Sequence, residues 1–273
     1  MTYRPVTPGS DFTRRHLPMG RPQVEPEDIP VLARNFDGVD DEIRVPVTAS
    51  NLTAPYTLAA LCRVTKLDAS VAQIQVAVNF TSGGSSTVGL SVFGTPTFTF
   101  AEYQSGATAS QVVQPGKWVI MALSKATGIV AIDFSLYQDG AWNQAAGSGA
   151  INATATPNGT IRFGTDGSGA FSQIDLAVVA EWRGVKLTNT QVQELSANWR
   201  TSDWYNNSGG NPSALWEFNQ DDVTTPVEDI AGHDQDESSR TGTRPTSTGP
   251  AGWVYGGIDV EYPYLTQRAL VPA

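Results

Sequence analysis

The middle of the chain alternates apolar and polar residues with a period of two. Ile74, Val76, Val78 and Phe80 take one set of alternate positions, and Gln73, Gln75 and Asn79 take the other. Val88, Leu90 and Val92 repeat the alternation, followed by Phe98 and Phe100 beyond Pro96. Val130, Ile132, Phe134 and Leu136 interleave with Ala131, Asp133 and Ser135. Ile161 with Phe163, and then Ile174, Leu176, Val178, Ala180 and Trp182, continue the pattern. Successive side chains of a strand point to opposite faces, so each run predicts a β-strand. Trp118 to Leu123 is apolar at both parities, which predicts a central strand covered on both sides.

Turn residues fall between these runs: Ser82-Gly83-Gly84-Ser85, Pro115-Gly116, Asp139-Gly140, Asn158-Gly159 and Gly167-Ser168-Gly169. Short strands at this spacing, with no helical period between them, predict an antiparallel sandwich and not βαβ units. One helix interrupts the scheme near the end. Thr188-Asn189-Thr190-Gln191 fits a capping box, and Val192, Leu195 and Trp199 follow at helical spacing. The spacing predicts an amphipathic helix of about three turns that closes the sandwich.

Composition supports this class. Charged residues are 16% of the chain, and Thr, Ser, Gly and Asn are plentiful, which suits strands and turns better than helical bundles. The formal net charge is −10, so nucleic acid is not an expected partner. The single cysteine, Cys62, lies in an apolar stretch and is expected to be a buried, inert thiol. No apolar h-region opens the chain and no run of 18 apolar residues occurs, so neither secretion by a signal peptide nor membrane insertion is expected. The sequons at Asn51, Asn79, Asn152, Asn158 and Asn206 accordingly read as products of composition.

The two ends differ from the middle. Residues 1–34 are rich in proline and lack a sustained apolar period, which predicts an extended arm that needs a surface to hold it. Over residues 1–21 the arm carries Arg4, Arg14, Arg15 and Arg21 against Asp11 alone. From Glu217 to Glu261 there are ten acidic residues against Arg240 and Arg244, which accounts for −8 of the net charge. The expected organisation is an arm over 1–34, a sandwich over 35–199 and an extension over 200–273. That extension would pack on the sandwich or on neighbouring subunits.

Three stretches carry a family resemblance. Asn35-Phe36-Asp37-Gly38-Val39-Asp40-Asp41-Glu42-Ile43 reads as an opening strand with its turn, followed by Tyr56 to Arg63. Trp118 through Phe134 to Asp139-Gly140 reads as a hairpin. Ile174-Asp175 to Trp182, with Leu187-Thr188 to Leu195, reads as a closing strand and its helix, although Leu176 stands where an acidic residue is usual. In this order they resemble the laminin-G-like, concanavalin A-like jelly-roll family. The segments Leu215-Trp216-Glu217-Phe218 and Trp253-Val254-Tyr255 resemble the extensions that follow such domains in minor tail proteins of actinobacterial phages. The resemblance implies a virion structural protein made in the host cytoplasm. Its partners would be other virion proteins, copies of itself and host surface glycan, and a standalone carbohydrate-binding lectin is the alternative.

Candidate chemistry is sparse. Asp37, Asp40, Asp41 and Glu42 form the densest carboxylate group and are weak candidates to offer oxygens to Ca²⁺; a Gly38 turn whose Asp side chains bond their own amides is the preferred reading. Asp166 with Asp175 is a second weak pair for Ca²⁺. No other cofactor is expected. Trp142, Trp204, Tyr205 and Asn206 are the candidate glycan contacts, because aromatic faces stack on sugars and amides bond hydroxyls; packing against the core competes with that reading. Glycosidases pair two carboxylates across the scissile bond, and Asp259-Val260-Glu261 is only a fragment of such a pattern. His16, His233 and Cys62 form no nucleophilic set. The sequence therefore leads to the expectation of a protein that is not an enzyme.

Overall fold

A computed structural model describes residues 29–30, 32–46, 55–65, 74–82, 85–93, 99–101, 108–126, 132–147, 160–165, 171–197, 202–218, 227, 230–231, 239–241, 246–248 and 254–255. The strands are β1 (Ile29–Pro30), β2 (Leu32–Asp37), β3 (Glu42–Pro46), β4 (Tyr56–Val64), β5 (Ile74–Ser82) and β6 (Ser85–Phe93). They continue as β7 (Thr99–Ala101), β8 (Thr108–Val112), β9 (Trp118–Lys125), β10 (Ile132–Gln138), β11 (Ala141–Gly147), β12 (Thr160–Phe163) and β13 (Gln173–Arg183). After α1 (Asn189–Gln193), a 3-10 turn (Glu194–Ser196) and α2 (Ser202–Tyr205) come β14 (Ala214–Glu217), β15 (Ser239–Thr241), β16 (Thr246–Thr248) and β17 (Val254–Tyr255).

Two antiparallel sheets form a jelly-roll sandwich. One runs β11-β10-β9-β4-β13-β2-β16, with β14 also on β13, and the other runs β15-β3-β12-β5-β6-β7-β8. Sequence neighbours pair at the hairpins, whereas β4 with β13 and β3 with β12 pair across long crossovers. A further small pair joins β1 to β17. The Asp139-Gly140 hairpin has φ of 55° and 79°, the left-handed geometry that a two-residue turn requires.

The core between the sheets gathers Phe36, Leu58, Met121, Phe134, Phe163 and Trp216 among others. Phe163 meets Trp216 and Phe218 edge-on, with ring centroids 5.5 and 5.1 Å away. A second apolar layer lies on the outer face of the eight-stranded sheet, where Leu187, Val192, Leu195 and Trp204 cover Ala59, Ala122, Ala180 and Trp182. Ala122, Ala59 and Ala180 are direct cross-strand neighbours. Their small side chains form a flat seat, so the helical segment can lie close to the backbone.

Strand β13 is buried on both faces from Ile174 to Trp182. Its far edge is shared: β2 pairs with Gln173 to Leu176, and β14 pairs with Val178 to Glu181. A bulge between Leu176 and Val178 marks the change of partner. It also reverses the parity, so that Leu176 and then Val179 face the inner core while Val178 and Ala180 face the helical cap.

The structure differs from the sequence expectation in four places. In β13 the bulge breaks the single alternation over 174–182 and sends Ile174 and Leu176 inward but Val178, Ala180 and Trp182 outward. The helix is shorter than about three turns, because it tightens after Gln193 into a 3-10 turn that brings Leu195 onto the sheet. Trp199 lies outside the described residues. A second helix, α2, was not expected; a single turn of four residues has no visible period. The first core strand starts at Leu32, not Asn35, because β16 supplies partners for Leu32 to Arg34.

Two glycines separate conformational from steric demand. Gly164 (φ +85°) would place a Cβ 2.3 Å from the Phe36 ring and 2.8 Å from the Asp41 carbonyl oxygen. Gly116 (φ +76°) has open space around it. In urea unfolding, Gly116→Ala is expected to cost about 1 kcal/mol from backbone strain alone. Gly164→Ala should cost at least about 2 kcal/mol, because overpacking is added. Equal losses would refute this account.

Candidate functional site

The outer face of the eight-stranded sheet divides into rows of cross-strand neighbours. The rows under the cap are apolar or small. The row beyond the cap is not: Trp118 on β9, Arg63 on β4, Asp175 on β13 and Asn35 on β2 stand side by side. Arg63 donates from Nε to Asp175 Oδ2 at 2.8 Å and closes a second, shorter contact through Nη2. Asn35 Nδ2 donates to Asp175 Oδ1 at 2.8 Å. The Arg63 guanidinium carbon lies 5.1 Å from the Trp118 ring centroid, a cation–π contact. Asp175 is buried, while Asn35, Arg63 and Trp118 are half-buried and reach solvent.

Beside this row, on the next two strands, Tyr137 stands opposite Trp142 with ring centroids 5.3 Å apart. Burial pushes the Tyr137 phenol above its usual range. Tyr137 pairs with Ile120, two residues along β9 from Trp118, so it is the diagonal neighbour of Trp118 across the sheet. The result is a strip running from Trp142 through Tyr137 and Trp118 to Arg63 and Asn35. At its end Lys117 Nζ contacts both Asp139 oxygens at 2.7 Å.

The cap forms one border of the strip and is tied down by three indole N–H groups. Trp142 donates to Ser196 Oγ, Trp204 to the Leu195 carbonyl and Trp182 to the Gly210 carbonyl, at 2.9, 2.9 and 2.8 Å. Thr188 and Gln191 complete the capping box that opens α1. Thr57 Oγ1 donates to the Val185 carbonyl and accepts from the Leu187 amide, which fixes the start of this segment.

Of the glycan candidates read from the sequence, Trp142 is half-buried on the strip, its N–H engaged by the cap. Trp204 is fully buried with its ring in the second apolar layer, so it is corrected to an anchor of the cap. Tyr205 packs partly against that layer, and Asn206 is exposed beside it. Trp118, Arg63, Asn35 and Tyr137 were missed. Their only link is register, which joins residues far apart in sequence.

Asp37, Asp40 and Asp41 lie together at the β2–β3 turn, each with a carboxylate oxygen within 4.8 Å of the others. They could offer a hard cation three carboxylates. Asp37 Oδ1 accepts from the Val39 amide, and Asp41 Oδ2 accepts from the Asp37 amide, both at 2.8 Å, so the turn also uses these groups itself. Asp175 is corrected from a cation candidate: its carboxylate holds Arg63 and Asn35 in mid-sheet. Asp166, His16, His233, Asp259 and Glu261 lie outside the described residues. Glu42 joins the sheet network on the other layer, contacting Arg44 at 2.7 Å and Arg162 at 2.6 Å. Its hydrogen bond raises the Arg44 pKa. Cys62 is buried in the core, and desolvation, followed by the Asp175 charge, pushes its thiol from 9.0 up to about 12.

No protein-family model matches the chain, and no curated protein matches it. Solved structures of similar fold do match. A candidate carbohydrate-binding protein from Bacteroides ovatus has a TM-score of 0.53 at 16% identity, over 83% of this chain and 62% of its own. A Trypanosoma rangeli sialidase scores 0.44 at 16% identity, over 59% of this chain and 26% of its own. The enzymatically active domain of tailspike protein 2 from bacteriophage CBA120 scores 0.43 at 16% identity, over 68% of this chain and 33% of its own. The chain thus spans about a quarter of the sialidase and less than two thirds of the Bacteroides protein. At these identities the likeness is one of fold. The expectation of a protein that is not an enzyme is withdrawn, because solved structures containing this fold include sialidases and an enzymatic tailspike domain.

Two outcomes follow from the buried groups. Native Cys62 should resist a thiol reagent up to about pH 10 and react promptly in denaturant. Because the unfolded thiol ionises near 9.0 and the folded one near 12, stability should fall with rising pH across that window, less so in Cys62→Ala. Rapid labelling of folded protein would contradict this burial. Arg63→Met should cost on the order of 3 kcal/mol by stranding the Asp175 carboxylate, and adding Asp175→Leu should recover part of that loss. A double-mutant cycle of urea curves checks the coupling.

Proposed function

We propose that this chain is a glycan-recognising jelly-roll subunit of a virion. The observation that supports glycan recognition is the strip of half-buried Trp118 and Trp142 beside Tyr137, with the N–H donors of Arg63 and Asn35 in the same cross-strand row as Trp118. Indole faces offer a flat apolar surface for the C–H side of a sugar ring. Amide and guanidinium donors beside it can bond hydroxyls. The site is pre-formed, since Arg63 is already held by Asp175 and Trp142 by Ser196, so little ordering is left to binding.

The virion reading is supported by the sequence: a basic proline-rich arm before the sandwich and an acidic, tryptophan-bearing extension after it. Oppositely charged ends favour head-to-tail contacts between copies or with neighbouring subunits. A standalone lectin would share the strip and make no particle contacts.

Affinity electrophoresis of the full chain against bacterial surface polysaccharides tests the first part. At least one polymer should retard the protein, and Trp118→Ala should abolish the retardation while thermal unfolding stays cooperative. Trp142→Ala should weaken it, on the order of 1–3 kcal/mol by analogy with stacking losses elsewhere. Mass spectrometry of purified particles tests the second part. A chain found only in the soluble host fraction would leave a lectin and remove the virion subunit.

A further inference from the structure

The charge around the strip narrows the class of sugar, an inference that rests on the glycan reading above. Arg63 spends its guanidinium on the buried Asp175 carboxylate. Lys117 is matched by Asp139 through both oxygens. Among the described residues, the two cations at the strip are therefore each paired with a carboxylate of this chain. At the Asn35 end stand the exposed carboxylates of Asp37 and Asp40, and the whole protein carries −10. An acidic sugar gains its affinity from a cation it can pair with, and it would meet here a neutral floor and a negative rim.

We infer that the strip takes uncharged oligosaccharides and discriminates against polymers of uronic or sialic acid. Arg63 then acts as a planar hydrogen-bond donor stacked on Trp118, with its net charge cancelled from beneath by Asp175. The row from Asn35 to Trp118 crosses four adjacent strands. Three inter-strand spacings give about 14 Å, room for a short stretch of polysaccharide and more than one ring needs.

The test uses the full chain and matched polymers: galactan against polygalacturonate, and a neutral glucan against polyglucuronate, at low and high salt. Binding to a neutral polymer, little changed by salt and lost in Trp118→Ala, is expected. The Asp37→Asn, Asp40→Asn double variant leaves the strip intact. It should raise affinity for the acidic polymers by about two- to fivefold per carboxylate at low salt and leave neutral binding unchanged. Preferential binding of the acidic polymers, lost in Trp118→Ala, would overturn the neutral-sugar inference and leave the glycan reading standing. Binding of either class that survives Trp118→Ala, or no binding to any polymer, would overturn both.

Discussion

The rest of the molecule is arranged around one strand with no face to spare. β13 is buried on both sides over nine consecutive residues, so every neighbour is chosen for it. On one side β4 must run alongside its full length. On the other, two short strands divide the edge between them, and the bulge at the division lets one strand serve two apolar layers of opposite parity. A strand of strict period two would have turned either Leu176 or Val179 out of the inner core.

From this follows the shape of the outer surface. Once β13 must be covered on its outward face, a cap is required, and the row of Ala122, Ala59 and Ala180 determines how closely it can lie. The cap does not reach the end of the sheet. Where it stops, the face changes from alanine to Trp118, Arg63, Asp175 and Asn35, so the open strip is what remains of a sheet face mostly given to packing.

Legibility in the sequence followed range. The Thr188–Gln191 capping box and the Asp139-Gly140 turn were readable because each is complete within a few residues. The alternation over 132–136 was readable because inward burial repeats along the strand. That over 174–182 revealed a strand but not its faces, because the bulge turns Ile174 and Leu176 inward and Val178, Ala180 and Trp182 toward the cap. Trp204 was misjudged because polar neighbours Ser202, Asp203 and Asn206 suggested a surface, whereas its ring lies in an apolar layer shared with residues from distant strands. The strip was not legible at all. Nothing near Asn35 announces Asp175, and nothing near Arg63 announces Trp118, since register alone brings them together. The short strands β15 and β16 were missed for a related reason: three polar residues become a strand only when a partner edge is waiting.

Those two strands have a consequence of their own. β15 lies on β3 and forms one edge of its sheet, and β16 lies on β2 and forms an edge of the other. A few residues of tail therefore seal two hydrogen-bonding edges, one from each layer, with Ser, Thr and Arg in place of apolar side chains. A protease cutting ahead of Ser239 would uncover both at once. The clipped sandwich would keep its core and gain two bare ladders of backbone N–H and C=O, a surface that recruits strands from other molecules. The tail thus keeps two sheet edges from becoming a template.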